Sequence, residues 1–103
     1  MKILLKDLFK TADELGGKKI SVSGWIRTMR VSKMFGFIEL NDGTFFKNVQ
    51  VVFEQDKIDN FKEISSLNVG AAITVEGNLE LTPNAKQPFE IKAESVFVEG
   101  MST

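Results

Sequence analysis

The chain contains no cysteine and no histidine. That removes disulfides, thiol nucleophiles, imidazole bases and the usual zinc ligand sets. No apolar run approaches the length a membrane helix needs. Lys6, Asp7 and Lys10 interrupt the apolar residues near the N-terminus, so a secretory signal is not expected either. No internal repeat and no low-complexity segment occurs. Carboxylate pairs such as Glu90 and Glu94 are present. No nucleophile, metal cluster or phosphate-cradling glycine loop accompanies them, so solvated acids on a strand face are the expected reading. A cytoplasmic, non-membrane domain fits these absences.

The 103 residues suffice for one domain with one core, and 43% hydrophobic with 26% charged residues is an ordinary globular balance. The net charge is −1, too small for indiscriminate nucleic-acid binding. The charge is unevenly spread, however. Residues 18–50 carry six cations and two acids, whereas residues 51–103 carry four cations and nine acids. Arg27, Arg30 and Lys33 belong to the basic stretch.

Periodicity divides the chain in order. Residues 3–15 carry Leu4, Leu5, Leu8, Ala12 and Leu15 at helical spacing, and Gly16-Gly17 stops the helix. Residues 19–28 alternate as a first strand, with Ile20, Val22, Gly24 and Ile26 on one face. Gly24 marks a bulge or bend that lets one strand serve two sides of a barrel. Trp25, on the other face, is expected beside the helix, with base stacking as the alternative. A turn at 31–34 leads to a second strand at 35–40, and Asn41-Asp42-Gly43 is a strong turn signal. A third strand covers 49–54. A shorter helix is expected within 54–66, starting near Asp56 or Asp59. A fourth strand covers 71–81. The fifth covers 87–98, with a bulge after Ala93 that returns Val96 and Val98 to the apolar face.

The second and third strands place unusual residues on one outer face. Ile38 and Leu40 share the core face with Gly36, which turns Phe35, Phe37 and Glu39 outward. Val49, Val51 and Phe53 face inward, leaving Gln50, Val52 and Glu54 outside. A ring to stack on a base, an amide to read its edge and nearby cations for phosphates suit a single-stranded nucleic acid. Packing of Phe35 or Phe37 under the helix or a loop is the competing reading. Helix, three strands, helix and two strands match the OB-fold, a mainly β, five-stranded Greek-key barrel that binds oligonucleotides on strands two and three. An SH3-like barrel is the runner-up, but the intervening helix would be unusual in it.

The segments Gly24-Trp25-Ile26-Arg27, Phe37 to Gly43 and Val49 to Val52 resemble the N-terminal anticodon-binding domain of class IIb aminoacyl-tRNA synthetases. This is the aspartyl, asparaginyl and lysyl group. The segments 41–48 and 86–94 look most like the bacterial asparaginyl type, and the resemblance runs from about Leu4 to Gly100. It implies that Phe37 stacks on the middle anticodon base, U, and that Gln50 hydrogen-bonds the edge of that base. By the same resemblance Arg30 contacts the anticodon and Glu90 contacts the first base, G. Relative to the aspartyl pattern the Gly43–Asn48 loop is two residues longer. That leaves Phe45, Phe46 and Lys47 as candidates for distinguishing the third base.

The resemblance further implies recognition of a GUU anticodon for an enzyme that charges tRNA with asparagine. ATP and Mg2+ would serve a separate catalytic domain that is absent here, so this segment would bind tRNA without catalysis and without a cofactor. The larger protein is expected to be a homodimer and the isolated domain a monomer. Residues 1–17 then form a helix packed on the barrel, 18–100 the OB domain, and 101–103 a tail or the start of a linker. A general single-stranded nucleic-acid module, an aspartyl or lysyl counterpart, and a protein-interaction OB domain are the alternatives.

Overall fold

A computed structural model describes residues 1–100. The expected tail at 101–103 lies outside the described residues. Helix α1 spans Leu5–Leu15 and buries Leu5, Leu8, Ala12 and Leu15. It begins two residues later than its periodicity suggests because residues 1–3 are committed elsewhere. The Ile3 N–H donates to the Ser21 carbonyl, and the Ser21 N–H donates to the Met1 carbonyl. Leu4 is therefore the extended N-cap and lies exposed rather than on the buried stripe. Gly17, at φ 82°, reverses the chain after the helix in a conformation that glycine adopts without penalty.

Strand β1 runs Lys19–Val31, three residues beyond expectation. Its first half pairs with β4 (Ala72–Leu81), and its second half pairs with β2 (Phe35–Asn41). Trp25 pairs with both Asn41 and Ala72. One long strand thus does serve two sides of the barrel. The register slip lies at Arg27, between Ile26 and Thr28, and not at Gly24. Gly24 is needed for another reason: a Cβ there would collide with the Asn41 backbone carbonyl. β2 pairs with β3 (Val49–Glu54), and β3 runs parallel to β5 (Phe89–Gly100). β5 returns antiparallel along β4, closing the barrel in the order β1-β2-β3-β5-β4. This is the expected five-stranded OB barrel.

Helix α2 between β3 and β4 covers only Phe61–Ser65. Ile58 and Ile64 are both buried, so the helical spacing seen in the sequence is correct about burial and too long about the helix. Turns fill residues 55–60 instead, and the cap is Asn60, not an aspartate. The Asn60 side-chain amide donates to the Val96 carbonyl and to Glu63.

The core is one apolar cluster drawn from α1, all five strands and the α2 region. Gly36, Ile38 and Leu40 of β2 face inward, as do Val49, Val51 and Phe53 of β3. Gly36 is small because the Phe53 ring fills the space its Cβ would take. The bulge expected after Ala93 is present: Gly77 pairs with Ala93 and Glu76 with Ser95, so Glu94 is the extra residue. Val96 is consequently buried, and Val98 packs against the core. Among the described residues no polar side chain is fully buried.

Candidate nucleic-acid interface

The bulge at Arg27 decides which β1 side chains reach the outer face. Continued alternation from Ile20, Val22 and Ile26 would turn Thr28 and Arg30 inward. One extra residue reverses the phase. Met29 then packs against the core, and Thr28 and Arg30 turn outward beside β2. The pairs Thr28–Glu39 and Arg30–Phe37 are direct cross-strand neighbours. The Thr28 hydroxyl donates to a Glu39 carboxylate oxygen at 2.7 Å. The Arg30 guanidinium lies over the Phe37 ring, 5.5 Å from its centroid, within cation–π range.

Phe37 is 36% exposed although it sits mid-strand. On its other side lies β3. Val52, its register partner, was expected outside and is on the outer face, yet only 6% of it is exposed. Its neighbours in register, Phe37 and Lys92, flank it. Gln50 stands opposite Glu39 across β2 and opposite Glu90 across the parallel β5. Its Nε2 donates to Glu90 Oε2 at 3.0 Å. The other oxygen of Glu90 lies 3.7 Å from the Lys92 amine. This arrangement fixes the Gln50 amide and, among the described residues, leaves its carbonyl as a free acceptor.

A cleft of about 400 Å³ opens over this surface, lined by Thr28, Arg30, Phe37, Glu39, Gln50, Lys86 and Gln87. Four sequence-predicted residues, Phe37, Gln50, Arg30 and Glu90, therefore come together, Glu90 through its bond to Gln50. Arg27 and Lys33 do not line the cleft. Arg27 is the exposed bulge residue, and Lys33 lies in the turn after β1. Sequence reading missed Thr28, Lys86, Gln87 and Lys92. Lys86 and Gln87 reach the cleft from the β4–β5 loop, a long-range approach with no local signal.

The loop between β2 and β3 adjoins α1. Asp42 Oδ2 accepts from the Leu5 N–H at 2.8 Å, and the Thr44 hydroxyl oxygen accepts from the Lys6 N–H at 3.1 Å. The helix, which has no side-chain cap of its own, is capped from 37 residues away. Partial burial alone would raise the Asp42 carboxyl. Hydrogen bonds from the Thr44 hydroxyl and from the Leu5 and Thr44 N–H groups outweigh it and hold the carboxyl below its ordinary range. Gly43, at φ 81°, lies against the six-membered-ring edge of Trp25. Trp25 thus packs on this turn and remains 37% exposed.

Comparison with known proteins agrees with this fold. The tRNA anti-codon family model, described as an OB-fold nucleic acid binding domain, matches residues 20–99. The chain belongs to this family. As an OB-fold nucleic acid binding domain it is 62% identical over 100 residues to the asparagine–tRNA ligase of Clostridium acetobutylicum, covering 97% of this chain and 21% of that protein. It is 58% identical to the asparagine–tRNA ligase of Alkaliphilus oremlandii, with the same coverage. Asparaginyl-tRNA synthetase from Pyrococcus horikoshii superposes with a TM-score of 0.77 at 25% identity, over 87% of this chain and 21% of that one. The OB domain thus spans about a fifth of the length of the relatives it matches. The resemblance to the asparaginyl branch of the class IIb synthetases is borne out.

Proposed function

We propose that the β1–β2–β3 face of this OB domain reads the GUU anticodon of an asparagine tRNA, as part of an ATP-dependent asparagine–tRNA ligase. The observation that carries this reading is a half-exposed ring, Phe37, mid-strand between a cation and a fixed polar pair, Gln50–Glu90. A pyrimidine stacked on Phe37 presents its edge toward β3. The free Gln50 carbonyl can accept from uracil N3–H, whereas cytosine has only a lone pair at that position. Glu90 is suited to the N1–H and N2–H₂ donors of guanine, which would compete with the Gln50 amide for its carboxylate. Arg30 would take phosphate or support the stacked base. Arg27 and Lys33, outside the cleft, would meet phosphates at its edge.

The catalytic steps, with ATP and Mg2+, belong to the remainder of such an enzyme, and no residue of this chain is assigned to them. The larger protein acts in the cytoplasm as a homodimer, and this domain alone is a monomer. The test is Phe37→Ala with an anticodon stem-loop carrying GUU. Loss of stacking is worth about 1–3 kcal/mol, so binding should weaken between about fivefold and a hundredfold while thermal stability stays near that of the parent. Unchanged affinity in a folded variant would remove the stacking role.

A further inference from the structure

Outside the cleft, Phe46 in the β2–β3 loop is 82% exposed, more than any other large apolar side chain among the described residues. Exposure alone would mean little, but three observations accompany it. First, the ring is supported. Phe46 lies 4.6 Å from Phe45, Phe45 stacks on Phe9 of α1 at 4.7 Å, and Phe9 packs on Phe89 of β5 at 4.8 Å. The ladder ends in the core. Second, the loop is braced. The Asn41 side-chain amide donates to the Phe45 and Lys47 carbonyls and to Asn48 Oδ1, and Asp42 accepts from both donors of Thr44. The ring is thus presented on a fixed frame, which lowers the entropy lost when a ligand covers it. Third, the Lys47 amine sits 5.7 Å from the Phe46 ring centroid.

We infer that Phe46 and Lys47 form a second stacking subsite, which takes a nucleotide of the same RNA strand as it leaves the cleft. This inference rests on the anticodon reading above. Three residues separate Phe46 from Gln50, so over four Cα–Cα steps of 3.8 Å their Cα atoms lie no more than about 15 Å apart. That is well inside the footprint of a single OB fold, which spans several nucleotides. Phe89, at the foot of the ladder, is the neighbour of Glu90 on β5. The occupant is a nucleotide because the pair offers an exposed flat ring with a cation held over it by a flexible side chain, which a stacking base can displace toward its own phosphate. A base covers the first and its phosphate meets the second. An apolar protein surface over Phe46 would instead strip water from the Lys47 amine without a counter-charge. Phe45 has no share in this subsite, because it is spent on Phe9.

The experiment compares two RNAs against the 103-residue chain. One is the trinucleotide GUU, which fills the cleft only, followed by NMR titration. The other is an anticodon stem-loop carrying GUU. Phe46→Ala should weaken the stem-loop about five- to tenfold and leave the trinucleotide unchanged, whereas Phe37→Ala should weaken both. Phe46→Trp should restore stem-loop binding, and Lys47→Gln should reduce the slope of log affinity against log salt by about one. Stem-loop binding unchanged by Phe46→Ala overturns the subsite; if Phe37→Ala still weakens both RNAs, the cleft reading survives alone. Equal weakening of both RNAs by Phe46→Ala would place the ring inside the cleft and also overturns it. Failure of the parent chain to bind either RNA removes both readings.

Discussion

Removing the Asp42 carboxylate should uncouple helix α1 from the barrel loop that caps it. In Asp42→Ala the Leu5 N–H loses its acceptor at 2.8 Å, and Thr44 loses the partner of both its donors. A lost helix cap costs about 0.5–2 kcal/mol. Asp42 is only partly buried, so solvent screening argues for the middle of that range, about 1 kcal/mol at neutral pH. For a domain of this size that lowers Tm by about 4–8 °C. Asp42→Asn keeps one acceptor at the cap and should lose about half as much.

The two variants also separate capping from charge. The carboxyl is held below its ordinary value of 3.8 in the folded protein, so folding favours the ionised form. Its contribution is complete above that value and is lost as pH falls through the lower, folded value. The gap in Tm between the parent and Asp42→Asn, read by circular dichroism, should therefore be constant from pH 7 to about 5 and narrow as pH drops below about 4. A gap that is absent at pH 7, or that stays the same at pH 2, would refute this account of the loop–helix junction.

Gly36→Ala should destabilise the barrel by about 1–3 kcal/mol, because the Phe53 ring that occupies the Cβ position is fully buried and has no room to retreat; chemical denaturation would measure the loss. Deletion of Arg27 should remove the bulge and turn Arg30 inward and Met29 outward. That deletion should lower stability and abolish stem-loop binding together, whereas Arg27→Ala, which keeps the extra residue, should leave stability nearly unchanged and weaken binding only by the loss of one phosphate contact, lowering the salt slope by about one. A folded deletion variant with intact RNA binding would contradict the role given to the bulge.

The readable parts of this protein are those in which pattern and packing agree locally. Val96 and Val98 fall out of phase with Ile91 and Ala93, and only a bulge reconciles them, so that irregularity is visible in the sequence. The bulge at Arg27 is not, since Thr28, Met29 and Arg30 tolerate either phase and only the pairing with β2 selects one. The spacing overstates helix α2 because Ile58 satisfies the helical period from within a turn. The helical spacing places Leu4 on the buried stripe, whereas the bridge of residues 1–3 to Ser21, a partner far along the chain, holds it extended and exposed. At the site, Phe37 and Gln50 were legible from alternation on adjacent strands. The Gln50–Glu90 bond could not be read that way, because β3 and β5 are parallel and 40 residues apart. Resemblance supplied Glu90, and the parallel register explains why it belongs beside Gln50.

The most direct test of anticodon reading is titration of the chain with three stem-loops that differ only in the loop: GUU, GUC and an unrelated sequence, at low and moderate salt. Preference for GUU over GUC, with the unrelated loop bound more weakly still, is the predicted result. Equal affinity for all three would contradict base reading and leave an OB barrel that holds RNA by charge and stacking alone.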